Sequence, residues 1–345
     1  MTTATWRKFN GEIPRLPADR LPEDAAQAAI NCEFAHGELR PLKALGTHYT
    51  VAASARPCRA LFTADGVNFY AWSMPTRAYL HPTIDDTANR VIYHTQGQKL
   101  KVATLAGMKA INLNPEPPSA PFDLGVTAPA APAVSLGAAT SGDLETVALV
   151  ATVVNVWGEE SAPSNPVLFD RKAGQSATYT VTHTATAGQQ AINGINFYRT
   201  YPSLQGTTEY FLINSTPATL SGGTASITDA SDTPQTTTNL TSTEWDTPPA
   251  LPNNLTYVGN GFFAIGSGKD IVFSEPYRPH AWPYRMTLPH GIVGIVAIEG
   301  GILVTTQAQT YLVSGAHPPQ MSQQLLPVEP AGWSSPAMSR IAGAA

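Results

Sequence analysis

Short apolar and β-branched runs, each closed by Gly, Pro, Asn or Asp, recur along this chain. "CRALFTADGVNFYAWS", "LTYVGNGFFAIGSGKDIVF" and "IVGIVAIEGGILVTTQAQTYLVSG" are three of them. A helix needs roughly ten or more residues of unbroken 3.6-residue periodicity, and breakers this close together leave no room for it. Strands of about four to eight residues joined by tight turns do fit. The pattern predicts an all-β chain. Pro 30 and Gly 27 supply the breakers, and a hydrophobic content of 43% supplies a core. Charged residues are 13%, about half the usual share of roughly 25%.

At 345 residues the length prior is about two to three domains. The reading divides the chain into 1–124, 125–243 and 244–345. In the first part, Asp24 to Ile30 is expected as a short helix after Pro22. "CEFAHGELRPL" reads as a hairpin around Gly37. Asp65-Gly66 is the strongest hairpin signal, a two-residue turn between apolar runs, and Gln96-Gly97 is a weaker one. "NLNPEPPSAPFDLGVTAPAAPAVSLG" reads as a stiff, extended linker. The second part is rich in Thr and Val, with strands expected in "DLETVALVATVVNVW", "QSATYTVTHTAT", "INGINFYRTYP", "EYFLINSTP" and "GTASITDASD". Strands at this spacing suit an immunoglobulin- or fibronectin-like β-sandwich. After "EWDTPPALPNN" the hairpins return, with turns at Gly268-Lys269 and Gly300-Gly301. The simplest plan is one hairpin-built, propeller-like domain interrupted by an inserted sandwich.

The net charge of -5 comes without a run of Lys or Arg, so the dense basic footprint of a nucleic-acid binder is missing. "IVGIVAI" and "TVALVATVVNVW" fall short of the roughly 20 residues of a membrane span. "MTTATWRKFNGEIPRL" lacks the apolar core of a signal peptide. Cys32 and Cys58 are too few for a disulfide framework and read as reduced, partly buried thiols of a protein made in a cytosol.

Catalytic patterns do not assemble. "GNGFFAIGSG" is followed by a strand pattern where a dinucleotide fingerprint needs a helix. His280, His290 and His317 lack the helical spacing of a zinc site. Asp85-Asp86 and Glu159-Glu160 are adjacent carboxylates, read as solvated turn charges. Trp157 in "WGEES" reads as packed on the sandwich. No cofactor, metal or catalytic residue is expected. One stretch remains, "DIVFSEPYRPHAWP". Tyr277, Arg278, His280, Trp282 and Tyr284 supply stiff aromatic and charged area on a proline-fixed loop, the composition of an interface anchor. The competing reading folds this loop back over its own domain, and Glu275 and Arg278 are candidates to pair with each other.

"LPEDAAQAAINCEFAHGELRPLKAL", "VNVWGEESAPSNPV", "INFYRTYPSLQGTTEYFLI", "VFSEPYRPHAWP" and "ILVTTQAQTYLVSGAHPPQMS" together resemble, in this order, the tubular or nozzle-type structural proteins of short-tailed bacteriophages. The resemblance runs from about residue 14 to 325. It implies a propeller-like fold with an inserted fibronectin type III-like module, and a helix rich in Ala and Gln near the N-terminus. The sequence outside the sandwich suffices for about four blades at roughly 40–45 residues each. The implied role is a non-enzymatic virion component, made in the bacterial host cytoplasm. Its partners would be copies of itself in a ring, the portal and head-tail adaptor, other tail proteins, and DNA passing without sequence-specific binding. A mildly acidic chain suits such a conduit, because a wall that does not hold phosphates lets DNA slide. The alternative is a receptor- or glycan-binding tail fibre or adhesin module.

Overall fold

The alternating apolar runs fold as strands. The computed structural model describes residues 10–30, 32–33, 40–41, 50–110, 113–202, 208–234 and 236–327, and among them there is no α-helix. The chain divides into two compact units, Met1–Thr50 and Val51–Ala345.

In the first unit β1 (Gly11–Glu12) pairs in parallel with β2 (Ala25–Ala26), and β3 (Cys32–Glu33) pairs antiparallel with β4 (Arg40–Pro41). The helix expected over Asp24 to Ile30 is not formed. Ala25 N–H closes a turn on Pro22 O, and Ala26 O accepts from Ile13 N–H. A helix this short is marginal by itself, so pairing with a neighbouring strand wins. The pairing of β3 with β4 flanks the expected Gly37 turn, which lies outside the described residues.

The second unit begins with β5 (Ala60–Thr63), β6 (Asn68–Trp72), β7 (Thr76–Leu80), β8 (Arg90–Thr95), β9 (Leu100–Thr104), β10 (Lys109–Ala110) and β11 (Phe122–Asp123). They form a first sheet, β10-β6-β5, and a second, β11-β9-β8-β7. The β5–β6 turn is longer than the two residues expected and spans Ala64–Val67. Asp65 organises it by accepting from the N–H groups of Val67 and Asn68. The stretch read as linker contributes two strands, because Phe122 pairs with Val102 and Ala133–Leu136 opens the next domain.

That domain holds β12 (Ala133–Leu136), β13 (Leu144–Asn155), β14 (Val167–Lys172), β15 (Ala177–Thr182), β16 (Ile192–Pro202), β17 (Thr208–Leu212) and β18 (Thr224–Asp229). Two antiparallel sheets, β12-β15-β18 and β14-β13-β16-β17, enclose Leu149, Ala151, Val153, Tyr179, Val181, Ile195 and Phe197, alternate residues along their strands. The edge of β13 past Leu149 is covered by "ESAPSNP". Its prolines cannot donate to a ladder. The hydroxyls of Ser161 and Ser164 instead accept from the N–H groups of Val153 and Ala151.

β19 (Asn253–Gly259), β20 (Phe262–Ser267), β21 (Asp270–Phe273) and β22 (Tyr284–Thr287) form a third sheet outside the sandwich. β23 (Ile292–Ile298), β24 (Gly301–Thr306), β25 (Thr310–Ser314) and β26 (Ser322–Leu325) form a fourth. The four sheets stack face to face. All of β8 is buried because sheets lie on both its faces. Val91 and Tyr93 meet Tyr70 and Trp72 of the first sheet, while Ile92 meets Phe263, Ile265 and Val272 of the third. Phe262, Ile271 and Phe273 point the other way, onto Ile295, Ile302 and Val304 of the fourth. Each such fully buried side chain contributes about 1.5–3 kcal/mol. The opening strands pack in succession, β5 on β7, β7 on β19 and β19 on β23, and Arg77 of β7 donates to Ile295 O at 2.8 Å. Edge strands that open the sheets thus pack on one another, and among the described residues no closed barrel is formed.

Candidate functional site

The stretch from Ser274 to Pro283 joins β21 to β22, and it folds back. Trp282 is 3% exposed, within the cluster of Ile92, Leu255, Phe263 and Val272. Its indole N–H donates to Pro279 O at 2.7 Å and its backbone N–H to Asp246 O at 2.9 Å. His280 is buried and meets Trp245 edge to face, with ring centroids 5.7 Å apart. Arg278 stacks on the other partner of that joint, its guanidinium 4.6 Å from the Trp245 ring centroid. Tyr284 is half-buried and donates its hydroxyl to Glu275 at 2.7 Å. Burial, then the Glu275 carboxylate, push the Tyr284 phenol up to about 12. The carboxylate of Glu275 is thereby occupied, and Arg278 meets Glu275 through the backbone only, donating to its carbonyl at 3.1 Å. Of the five candidate interface residues, Tyr277 alone is a large exposed apolar surface, at 54%. It holds a left-handed φ of 60°, uncommon for a bulky residue. The absence of a side chain on Gly261 makes this possible, since a Cβ there would stand 2.8 Å from the Tyr277 ring.

The fold-back completes a polar joint between the stacked sheets and the sandwich. Arg90, at the start of β8, binds Asp86 through Nε at 3.1 Å and through its terminal nitrogen at 2.9 Å, and binds Glu159 of the sandwich with its other terminal nitrogen. Asn155 holds the Glu159 loop. Its Oδ1 accepts from the N–H groups of Trp157 and Glu159 at 2.9 and 3.0 Å, and its amide donates to Glu159 Oε2 at 2.7 Å. Trp157 lies under the Arg90 guanidinium, 5.3 Å from centroid, and meets Phe122 edge to face. Trp157 therefore packs on the second sheet and not on the sandwich, and half-buried Asp86 and buried Glu159 are ion-pair partners of Arg90, not solvated turn charges. Adjacent Asp85 and Glu160 differ from them. Asp85 is exposed, while Glu160 accepts from Tyr198 at 2.8 Å and from Asn196 at 3.3 Å.

Burial raises the Glu159 carboxyl against the pull of Arg90. For Asp86 burial pushes upward, but the hydrogen bonds and charge of Arg90 outweigh it and hold the carboxyl low. Burial and Arg90 depress His81 to about 4, and burial, Arg90 and Arg278 depress His280 to about 3. The imidazole Nδ1 of His280 stands 3.7 Å from Glu159, beyond hydrogen-bond reach.

A second buried ionic cluster clamps the sandwich. Arg171 and Arg199 are fully buried. Arg199 binds Asp229 of the opposite sheet at 3.0 Å, Arg171 binds Glu145 at 2.6 Å, and both donate to Ser231 O. Neither cluster shows in the sequence, where Asp86 and Glu159 read as solvated turn charges and Arg171 and Arg199 carry no local signal. Cys32 and Cys58 are free thiols, Cys58 exposed. Among the described residues no group of three or more His, Cys, Asp or Glu is placed to hold a metal ion, and no helix is long and apolar enough to cross a membrane. No protein-family model matches the chain, and no curated protein matches it.

Proposed function

We propose that this chain is a non-enzymatic structural component of a short bacteriophage tail, of nozzle or tail-tube type. In this reading copies of the chain form a ring beneath the portal and adaptor and wall part of the DNA exit path. The observation that carries it is the order of the elements. Two stacked sheets, a seven-stranded sandwich and two further stacked sheets follow one another, with the opening strands of successive stacked sheets packed on one another. This is the plan implied by the resemblance of the motifs. The ionic clusters add rigidity, since their charged groups are engaged with one another. Self-association would draw on exposed apolar groups outside the core. Ile84 is 85%, Leu80 47% and Tyr277 54% exposed, and the hydroxyl of Thr83 bonds Tyr277 O, which brings the two loops together. Gold-labelled antibody raised against the purified chain should mark the tails of virions from the encoding phage. Labelling confined to infected-cell lysate, with unmarked virions, would overturn the assignment.

One observation favours a receptor- or glycan-binding role for the sandwich. A shallow cavity of about 320 Å³ is lined by Glu209, Tyr210, Asn239, Leu240 and Thr243. An aromatic ring beside a carboxylate, an amide and a hydroxyl suits a polyhydroxylated ligand better than an apolar one. Saturation-transfer spectra of the full chain with neutral hexoses and their disaccharides test this. Signals lost in Tyr210→Ala would favour it, and silence with every sugar would remove it.

A further inference from the structure

His81 and His280 both lie within the field of the Arg90–Glu159 pair, and neither ring is bonded as a cation would be. His81 Nδ1 accepts the N–H of Thr83 at 3.3 Å. The ring's single proton then sits on Nε2, which is buried without an acceptor. A second proton would place Nδ1–H against a donor. His280 is enclosed, with its Nε2 also lacking a partner, and it feels the positive charges of Arg90 and Arg278. Protonation would put a third positive charge there.

The charged groups facing these rings can be named in full. His81 faces Arg90, Asp86, Glu159 and His280. His280 faces Arg90, Arg278 and His81, with Glu159 3.7 Å away. Asp86 is bound to Arg90 through three hydrogen bonds from its side chain and one from its backbone. Asp86 is bound to Arg90, and Glu159 to Arg90 and the Asn155 amide, and the Glu159 oxygen facing the His280 ring stays 3.7 Å from Nδ1, beyond hydrogen-bond reach. All of these groups meet where the 155–161 loop of the sandwich touches the stacked sheets, so a joint closed with neutral histidines is pressed open by protons.

We propose that this joint is an acid-released latch, in which proton uptake by His81 and His280 frees the sandwich loop at 155–161 from Arg90. The latch is independent of the tail assignment. At neutral pH the loop is held by Glu159 and Trp157. In acid the open joint gains two solvated imidazolium ions, which the closed joint excludes. With an open-state pKa of about 6.5, each histidine multiplies the open population by about 20 between pH 7 and pH 5, so two give up to about 400-fold. Glu159 acts in the opposite sense, because burial makes it keep a proton more readily when the joint is closed. The expected rise is thus between about 20-fold and about 400-fold.

Amide hydrogen exchange of the full chain at pH 7 and pH 5, corrected for intrinsic exchange rates, reads this directly. Peptides covering 155–161 and 275–283 should lose protection by a factor in that range. Peptides in the sandwich core at 147–153 and 195–199 should keep theirs. A His81→Asn, His280→Gln double variant should show no such pH dependence. Unchanged protection at pH 5, or loss in core and joint together, would overturn the latch. So would a folded double variant that keeps the wild-type pH response. Should that variant not fold, the wild-type profile decides alone, since a two-histidine latch requires a slope above one proton between pH 6 and pH 5 and a slope of zero contradicts it.

Discussion

Replacing Glu159 by alanine removes one partner of a buried ion pair and leaves the other in place. Side chains of Arg90 and Glu159 are 9% and 8% exposed, so water does not readily take over. Breaking such a pair costs about 3–5 kcal/mol. Asp86 still binds Arg90 through Nε and a terminal nitrogen, which places Glu159→Ala near the lower limit. Asn155 also loses its acceptor at 2.7 Å, worth about 1 kcal/mol. The sum is about 3–4 kcal/mol, a shift of more than a hundredfold in the folding equilibrium at about 1.4 kcal/mol per factor of ten. Glu159→Gln keeps an oxygen for Arg90 and should cost roughly half as much, on the basis that a neutral acceptor bonds a cation more weakly. Urea unfolding at pH 7, followed by tryptophan fluorescence, measures both. A loss below about 1 kcal/mol for Glu159→Ala, the value of an exposed pair, would refute the picture of a desolvated lock.

Trp282→Ala should destabilise the monomer by about 3–5 kcal/mol, as loss of a buried aromatic does, whereas Tyr277→Ala should leave thermal unfolding of the monomer nearly unchanged and weaken self-association measured by sedimentation. Gly301→Ala should cost several kcal/mol or prevent folding, because its Cβ would lie 2.4 Å from Val313 O; a thermal midpoint equal to wild type would contradict the placement of β24 against β25. His94 is depressed to about 4, chiefly by burial, so the fold favours its neutral form and loses stability as pH falls from about 6.5 towards 4. Between pH 7 and pH 5 this amounts to about 2 kcal/mol, which His94→Gln should abolish in paired urea titrations; an undiminished acid loss in that variant would contradict it.

The strands were legible because their alternation is local. "DLETVALVATVVN" shows a long strand without any partner, and the breakers of "GNG" and "GSGK" fall at observed turns. Residues 24–30 misled because alanine-rich composition favours helix only where nothing else competes, and here β1 supplies a pairing partner. The joint was not legible for a different reason. Arg90 and Glu159 are 69 positions apart, and only the return of the chain after the sandwich brings Trp245 and His280 onto them. The same folding-back explains Trp282. Aromatic residues among prolines have the composition of an interface and of a buried corner alike, and the deciding contacts, from Asp246 and Val272, are distant in sequence or on another strand. Nothing local marks Arg171 and Arg199 as buried, because the carboxylates that pair with them, Glu145 and Asp229, are distant in sequence and Asp229 comes from the opposite sheet.

The mass of the purified chain in solution by light scattering, combined with negative-stain images, bears most directly on the proposed tail role. Closed rings, formed by the chain alone or on addition of portal–adaptor particles, are the expected result. A monomer that persists at all concentrations and ignores those particles would contradict it.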